Sequence, residues 1–235
     1  MLHRARRLAT WDVTTWPTPA PATRSPAWST WRPWGRSSRE GRGVLAGWHE
    51  PSDNRHHRAV IDQLEVLRLL GWLNSAEAQT WVDGGWGVDA LLQEQNREHS
   101  DLDLVVNREH LADVMSILCL QGFTVIRDWL PNAIAFRDST GAEVDLHPVD
   151  ITLDGGGDQI QLDGKSRWHY SPPVHGVIAG SPVLCCPLQD QLSCHQGYEP
   201  RDHDRADVAR LAARFGVPLP EPYDRASVPL SSPLD

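Results

Sequence analysis

Lysine is almost missing from this chain: Lys165 is the single one among 22 basic residues in 235. Tyr and Phe number three each against eleven Trp, and there are two Met. Four Cys, at 119, 185, 186 and 194, include an adjacent pair and do not make the disulfide framework of a small secreted domain. Reduced thiols and a cytoplasmic location are therefore expected. No apolar run reaches the roughly 18 to 20 residues that span a bilayer, which excludes a transmembrane helix. A net charge of −9 argues against nonspecific nucleic-acid binding as the main role, because that binding needs a basic surplus to neutralise phosphates. With 40% hydrophobic and 23% charged residues, the composition is that of a globular chain of one or two domains.

These averages combine two unlike segments. Residues 1–50 hold six of the eleven Trp, eight Arg against three acids, and five Pro between 17 and 33. That segment carries +5, which leaves −14 for residues 51–235. It shows neither helical nor strand periodicity, and its X-Pro steps disfavour helix. His3 to Arg7 could open a signal peptide, but no apolar core of about 7 to 15 residues follows. Two readings stay open: a disordered tail, or an extension translated from an upstream start codon in a GC-rich genome. The second is the expectation here, and function is sought after residue 50. Residues 217–235, rich in Pro, read as a loose tail, which leaves 51–216 as the working domain.

That domain alternates helix and strand signals. His56–Leu73 spaces Val60, Ile61, Leu64, Leu67 and Leu70 as one helical face. A short strand at 80–82 runs into Gly84-Gly85, with a brief helix after the glycines. Strands are expected at 102–106, 123–129, 133–137 and 143–149, and helices at 109–120, 187–195 and 201–215. Mixed elements of this kind give an α/β or α+β domain around one sheet.

The informative stretch reads Gly84-Gly85-Trp86-Gly87-Val88-Asp89, then Arg97-Glu98-His99-Ser100-Asp101-Leu102-Asp103-Leu104. Asp101 and Asp103, two apart at the start of a strand, project from one face, where like charges repel. A divalent cation resolves that conflict, and oxygen-only ligands favour Mg²⁺ or Mn²⁺ over Zn²⁺. Gly84 and Gly85 let backbone N–H groups approach an anion at the start of a helix. Each part alone is weak, since an Asp-x-Asp is commonly a solvated strand end and a Gly-Gly commonly a turn. A third acid strengthens them. Asp145 shares a strand face with Glu143 and His147, and could stand beside the first pair as metal ligand or general base. Cys185, Cys186, Cys194 and His195 do not make a zinc site, because adjacent Cys on a strand point to opposite faces.

Taken together, Gly-Gly-Trp-x-x-Asp, Arg-x-His-x-Asp-x-Asp and Val-Asp-Leu-His resemble the aminoglycoside 2″-adenylyltransferases and the related lincosamide nucleotidyltransferases, within the polymerase-β-like nucleotidyltransferase superfamily. The likeness continues through Gly176–Cys185 to Gln191, His195, Gly197, Tyr198, Asp204 and Asp207, and covers about residues 55–216. It implies a mixed sheet flanked by helices, with further helices at the C-terminal end. It implies that Asp101 and Asp103 bind metal, two Mg²⁺ ions being expected, and that Asp145 joins them and deprotonates the acceptor. Gly84 and Gly85 match nucleotide-binding glycines, Arg97 and His99 basic positions near the triphosphate, and Asp89 a pocket-shaping position. The implied reaction moves AMP from ATP or another nucleoside triphosphate to a hydroxyl, as in antibiotic resistance.

The acceptor is less determined. A domain at −14 suits a polycation, which favours an aminoglycoside over a lincosamide. Glu143, Asp150, Asp154 and Asp158 are candidates for ammonium contacts. A protein acceptor, as in toxin-like members of the superfamily, and a non-catalytic nucleotide-binding homologue are the remaining alternatives.

Overall fold

The structure is a computed structural model, and it describes residues 59–75 and 78–224. The expectations for residues 1–50 lie outside the described residues. Among the described residues, five α-helices and nine strands follow in chain order: α1 Gln63–Ser75, β1 Thr80–Asp83, α2 Gly84–Leu92, β2 Asp101–Asn107, α3 Leu111–Leu120, β3 Thr124–Trp129, β4 Ala133–Arg137, β5 Glu143–Ile151, β6 Gly157–Ile160, β7 Arg167–Tyr170, β8 Val174–Ile178, β9 Ser181–Cys185, α4 Leu188–Cys194 and α5 Asp202–Phe215. The strands form one mixed sheet in the order β3-β4-β5-β2-β1-β9-β8, with β6 and β7 continuing from β5. The β2/β5 and β1/β9 pairs are parallel, and the other pairs are antiparallel.

Alternation along the central strands sorts the side chains onto two faces. Val82, Leu102, Leu104, Val106, Val144 and Leu146 are buried in the main core with Val66 and Leu69 of α1, Trp86 and Val88 of α2, Val114 and Leu118 of α3, and Val208 and Leu211 of α5. The residues between them face the other way. Trp81, Val105 and Val149 join Tyr170 and Cys186 in a smaller cluster on that second face. The adjacent cysteines divide between the two clusters, Cys185 in the first and Cys186 in the second, as strand alternation requires.

Two local departures from expectation matter for the site. α2 starts at Gly84 itself, so both glycines lie in its first turn rather than ahead of it. The stretch Gly176–Cys185, which carried no strand expectation, holds most of the β8/β9 hairpin, turning at Ala179-Gly180.

Asp190 on α4 is buried, and its carboxylate accepts hydrogen bonds from the Ser171 N–H at 2.7 Å and the Ser171 hydroxyl at 2.9 Å. Burial pushes its pKa up to about 6, against the Ser171 hydrogen bonds that pull it down. A carboxyl that holds its proton more tightly when folded loses stabilising free energy as pH rises from about 4 to about 6, and the loss is complete above that range. The amount is on the order of 2–3 kcal/mol. Asp190→Asn keeps an acceptor for Ser171 and removes the titration. Its melting temperature relative to the wild type is therefore expected to rise between pH 4 and pH 6.5, read by thermal melts across that range. Parallel curves for the two proteins would refute the assignment.

Candidate active site

One register row crosses five strands and carries most of the site. Arg127 on β3 pairs with Ala135 on β4, Ala135 with Asp145 on β5, Asp145 with Asp103 on β2, and Asp103 with Asp83 on β1. Three carboxylates thus stand side by side on the face opposite the main core. Asp101 lies two residues before Asp103 on the same face, opposite Glu143 of β5. Ala135 is fully buried and short, so the Arg127 guanidinium reaches over it: Nη2 donates to both Asp145 oxygens at 3.1 and 3.2 Å and to Glu143 at 3.2 Å.

The electrostatics follow from this crowding. Burial raises the Asp145 pKa to about 7, the Asp103 charge adds to the rise, and Arg127 opposes it, as does His147 when its ring is protonated. Asp83 is also buried and raised, chiefly by desolvation, with the Asp103 charge contributing. Its Oδ1 accepts from Gln191 Nε2 of α4 at 2.9 Å, which ties that helix to the end of β1. His147 faces the same group, its Nε2 lying 3.5 Å from Asp103 Oδ1.

The two glycines are required by these neighbours. Gly84 has φ +59, in the left-handed region, and a Cβ there would lie 2.1 Å from Asp103 Oδ2. A Cβ on Gly85 would meet His99 Nδ1 at 2.4 Å and Arg97 Nη2 at 2.5 Å. The start of α2 is therefore seated directly on the Asp103 carboxylate and on the Arg97 and His99 side chains.

Asp101, Asp103 and Asp145 come together on adjacent strands, with Gly84 against Asp103. Arg97 flanks Gly85 and donates through Nε and Nη2 to Asp207 of α5 at 3.1 and 3.0 Å. His99 and Asp89 are both buried and joined to each other, Nε2 to Oδ2 at 2.6 Å. Trp86 packs on the His99 ring with centroids 4.7 Å apart, and Asp89 Oδ1 accepts from the Asn96 backbone and side chain. These two residues brace the α2 segment from within. His195 is likewise packed, its Nδ1 2.6 Å from the Gln191 carbonyl. Asp204 caps α5 by accepting from the Arg201 N–H at 2.9 Å.

The four acids proposed for ammonium contacts meet Arg and His side chains of the chain itself. Glu143 is bound by Arg137 and Arg127, Asp150 by Arg108 at 2.7 Å, and Asp154 and Asp158 by His169 at 3.1 and 2.8 Å. Asp83 and Arg127 were not anticipated as site residues. Asp83 had one local signal, its place at the end of a strand just before the glycines. Arg127 had none, because its role depends on the pairing of β3, β4 and β5.

Among the described residues, no three His, Cys, Asp or Glu side chains are already gathered closely enough to hold an ion. The donor set nevertheless fits a hard divalent cation. It offers carboxylate oxygens from Asp101, Asp103 and Asp145, which lie on one face of the adjacent strands β2 and β5. No helix among the described residues is long and apolar enough to cross a membrane.

Comparison with known proteins agrees with this geometry. A family model described as aminoglycoside-2″-adenylyltransferase matches residues 65–211. A lincosamide resistance protein of Staphylococcus haemolyticus is 27% identical over 160 residues, which cover 64% of this chain and 94% of that protein. A 2″-aminoglycoside nucleotidyltransferase of Escherichia coli is 25% identical over 121 residues, 51% of this chain and 64% of that protein, so the match spans less than two thirds of its length. Among solved structures, the lincosamide adenylyltransferase LnuA with lincomycin bound superposes with a TM-score of 0.61 at 24% identity, covering 66% of this chain and 99% of that one. The mixed sheet with flanking helices is thus the polymerase-β-like nucleotidyltransferase fold.

Proposed function

The chain belongs to the aminoglycoside-2″-adenylyltransferase family of antibiotic-modifying nucleotidyltransferases, and from that membership we propose that it transfers AMP from ATP to a hydroxyl of a small antibiotic. The observation that carries this reading is the row of Asp83, Asp103 and Asp145 across adjacent strands, with the glycine-opened start of α2 seated against Asp103.

Asp145 acts as general base. It takes the proton from the acceptor hydroxyl, whose oxygen attacks the α-phosphorus in line while the bond to the β-phosphate breaks and pyrophosphate leaves. Arg127 favours the ionised form of Asp145 that this step needs. Asp101, Asp103 and Asp145 would hold divalent metal, two Mg²⁺ ions being expected, which when bound stabilises the attacking and leaving oxygens. The N–H groups of the first turn of α2 have no partner within the helix and suit a phosphate oxygen, and Gly84 and Gly85 place no side chain there. Arg97, oriented by Asp207, flanks the same helix start for the triphosphate, while His99 and Asp89 hold the segment in place.

The acceptor we favour is a lincosamide. Glu143, Asp150, Asp154 and Asp158 are engaged by Arg and His side chains of the chain itself, and the similarity spans nearly the whole lincosamide resistance protein. An aminoglycoside is the second reading, supported by the description of the family model. Incubating the full chain with ATP, Mg²⁺ and either lincomycin or a panel of aminoglycosides is expected to release pyrophosphate with lincomycin. Release with aminoglycosides alone would reverse the order of the two. Release with neither, but AMP transfer to a protein, would overturn the small-acceptor reading.

A further inference from the structure

His147 lies two residues beyond Asp145 on the same face of β5, opposite Val105 of β2. One of its ring nitrogens faces Asp103 and the other faces Gln159 of β6. Gln159 is buried, and its amide orientation is settled by its neighbours. Its Nε2 donates to the Asn132 carbonyl at 2.8 Å, an atom that can only accept, and its Oε1 accepts from Gln161 Nε2 at 3.2 Å. The same Nε2 lies 3.2 Å from His147 Nδ1. In the neutral ring Nδ1 is then the acceptor and the proton sits on Nε2, which lies 3.5 Å from Asp103 Oδ1. A loop carbonyl, a buried amide and an imidazole thus run in sequence to one carboxylate oxygen. Donors of this kind orient a metal-binding carboxylate and hold its free lone pairs toward the ion.

We propose that His147 is a positioning residue, which through its Gln159-fixed Nε2–H holds the Asp103 carboxylate in the orientation that binds divalent metal. The proposal rests on the reading above in which Asp103 is a metal ligand. It goes beyond that reading by assigning the motif histidine and the unremarked Gln159 to one chain of hydrogen bonds.

The test measures Mn²⁺ binding to the full chain without nucleotide or acceptor, by calorimetry or by loss of the free-ion electron paramagnetic resonance signal. His147→Ala is expected to weaken Mn²⁺ binding by about 10–100-fold. Gln carries its amide nitrogen at the same reach from the backbone as His Nε2, so His147→Gln is expected to bind within about 3-fold of wild type. Asn is one atom shorter, and His147→Asn is expected to behave like the Ala variant. Gln159→Met, which leaves His147 in place but removes the donor that selects its tautomer, should weaken binding by an intermediate factor. This variant keeps the test valid if His147→Ala fails to fold. Equal Mn²⁺ affinity in all four variants and the wild type would overturn the proposal, as would a wild type that binds no Mn²⁺. Failure of the proposed function reads differently. A wild type that binds Mn²⁺ but releases no pyrophosphate refutes the reaction, while the ranking of the variants by Mn²⁺ affinity still decides the role of His147.

Discussion

Asp145→Asn is expected to lower the turnover of acceptor-dependent pyrophosphate release by about 10²–10⁴-fold, the range for removing a general base. The substitution is nearly isosteric and leaves β5 paired with β2 and β4, so the row stays in register. Stability should move the other way. The Asp145 carboxyl, raised to about 7 by burial and by the Asp103 charge, binds its proton more tightly when folded. Its ionisation therefore costs stability progressively as pH rises from about 4 to about 7, and a neutral Asn avoids that cost. At pH 8 the variant should melt at or above the wild-type temperature while being inactive, the usual opposition between a strained site and a stable fold. The measurement is a thermal melt beside a steady-state assay at the same pH. Turnover within about 10-fold of wild type would remove Asp145 from the base role. A melting temperature several degrees lower would assign the lost activity to unfolding instead.

Gly84→Ala is expected to be comparably damaging by a different route. A Cβ 2.1 Å from Asp103 Oδ2 forces either that carboxylate or the start of α2 to move. A displacement near 1 Å at reacting groups can cost about 10²-fold in rate. The left-handed backbone adds roughly 1–2 kcal/mol for any residue with a side chain, which at this chain length is a few degrees in melting temperature. Gly164→Ala separates the two effects. Gly164 has a similar φ of +68, but nothing lies within 4 Å of the position its Cβ would take. It should show the loss of melting temperature without the loss of turnover. Equal loss of turnover in both variants would show that backbone strain alone, rather than the contact with Asp103, explains the requirement for glycine.

How much of this was legible before the fold was known varies with the range of the interaction. The strand around Asp101 and Asp103 and the strand around Asp145 were readable because alternation of period two acts over a few neighbours. The glycine turn was readable as a close approach, but its object was not. The sequence suggests a phosphate, whereas the immediate neighbours in the structure are the Asp103 carboxylate and the Arg97 and His99 side chains. His99 and Asp89 read as polar residues near a nucleotide, yet they form a buried pair because α2 folds back over the start of β2. The acids at 143, 150, 154 and 158 read as free charge because their arginine and histidine partners come from elsewhere in the chain or across a hairpin. Their pairing leaves the net charge of the domain unchanged, because that sum already counts the arginines, but it occupies the acids expected to meet ammonium groups.

The available chemistry follows from the amino-acid order: an oxygen-rich acidic cluster, a glycine-opened helix start, and an acidic domain without a basic surplus. Those follow from residue type and from spacing over a few positions, where strand and helix periods dictate which side chains share a face. Strand pairing is what brings Asp83 into the row, carries Arg127 over Ala135 to Asp145, and sets Gln159 against His147. Each of those contacts depends on strand order and register. Register is set by the burial of Leu102, Leu104, Val144 and Leu146 against the helices, a long-range packing result that no local pattern around the site contains.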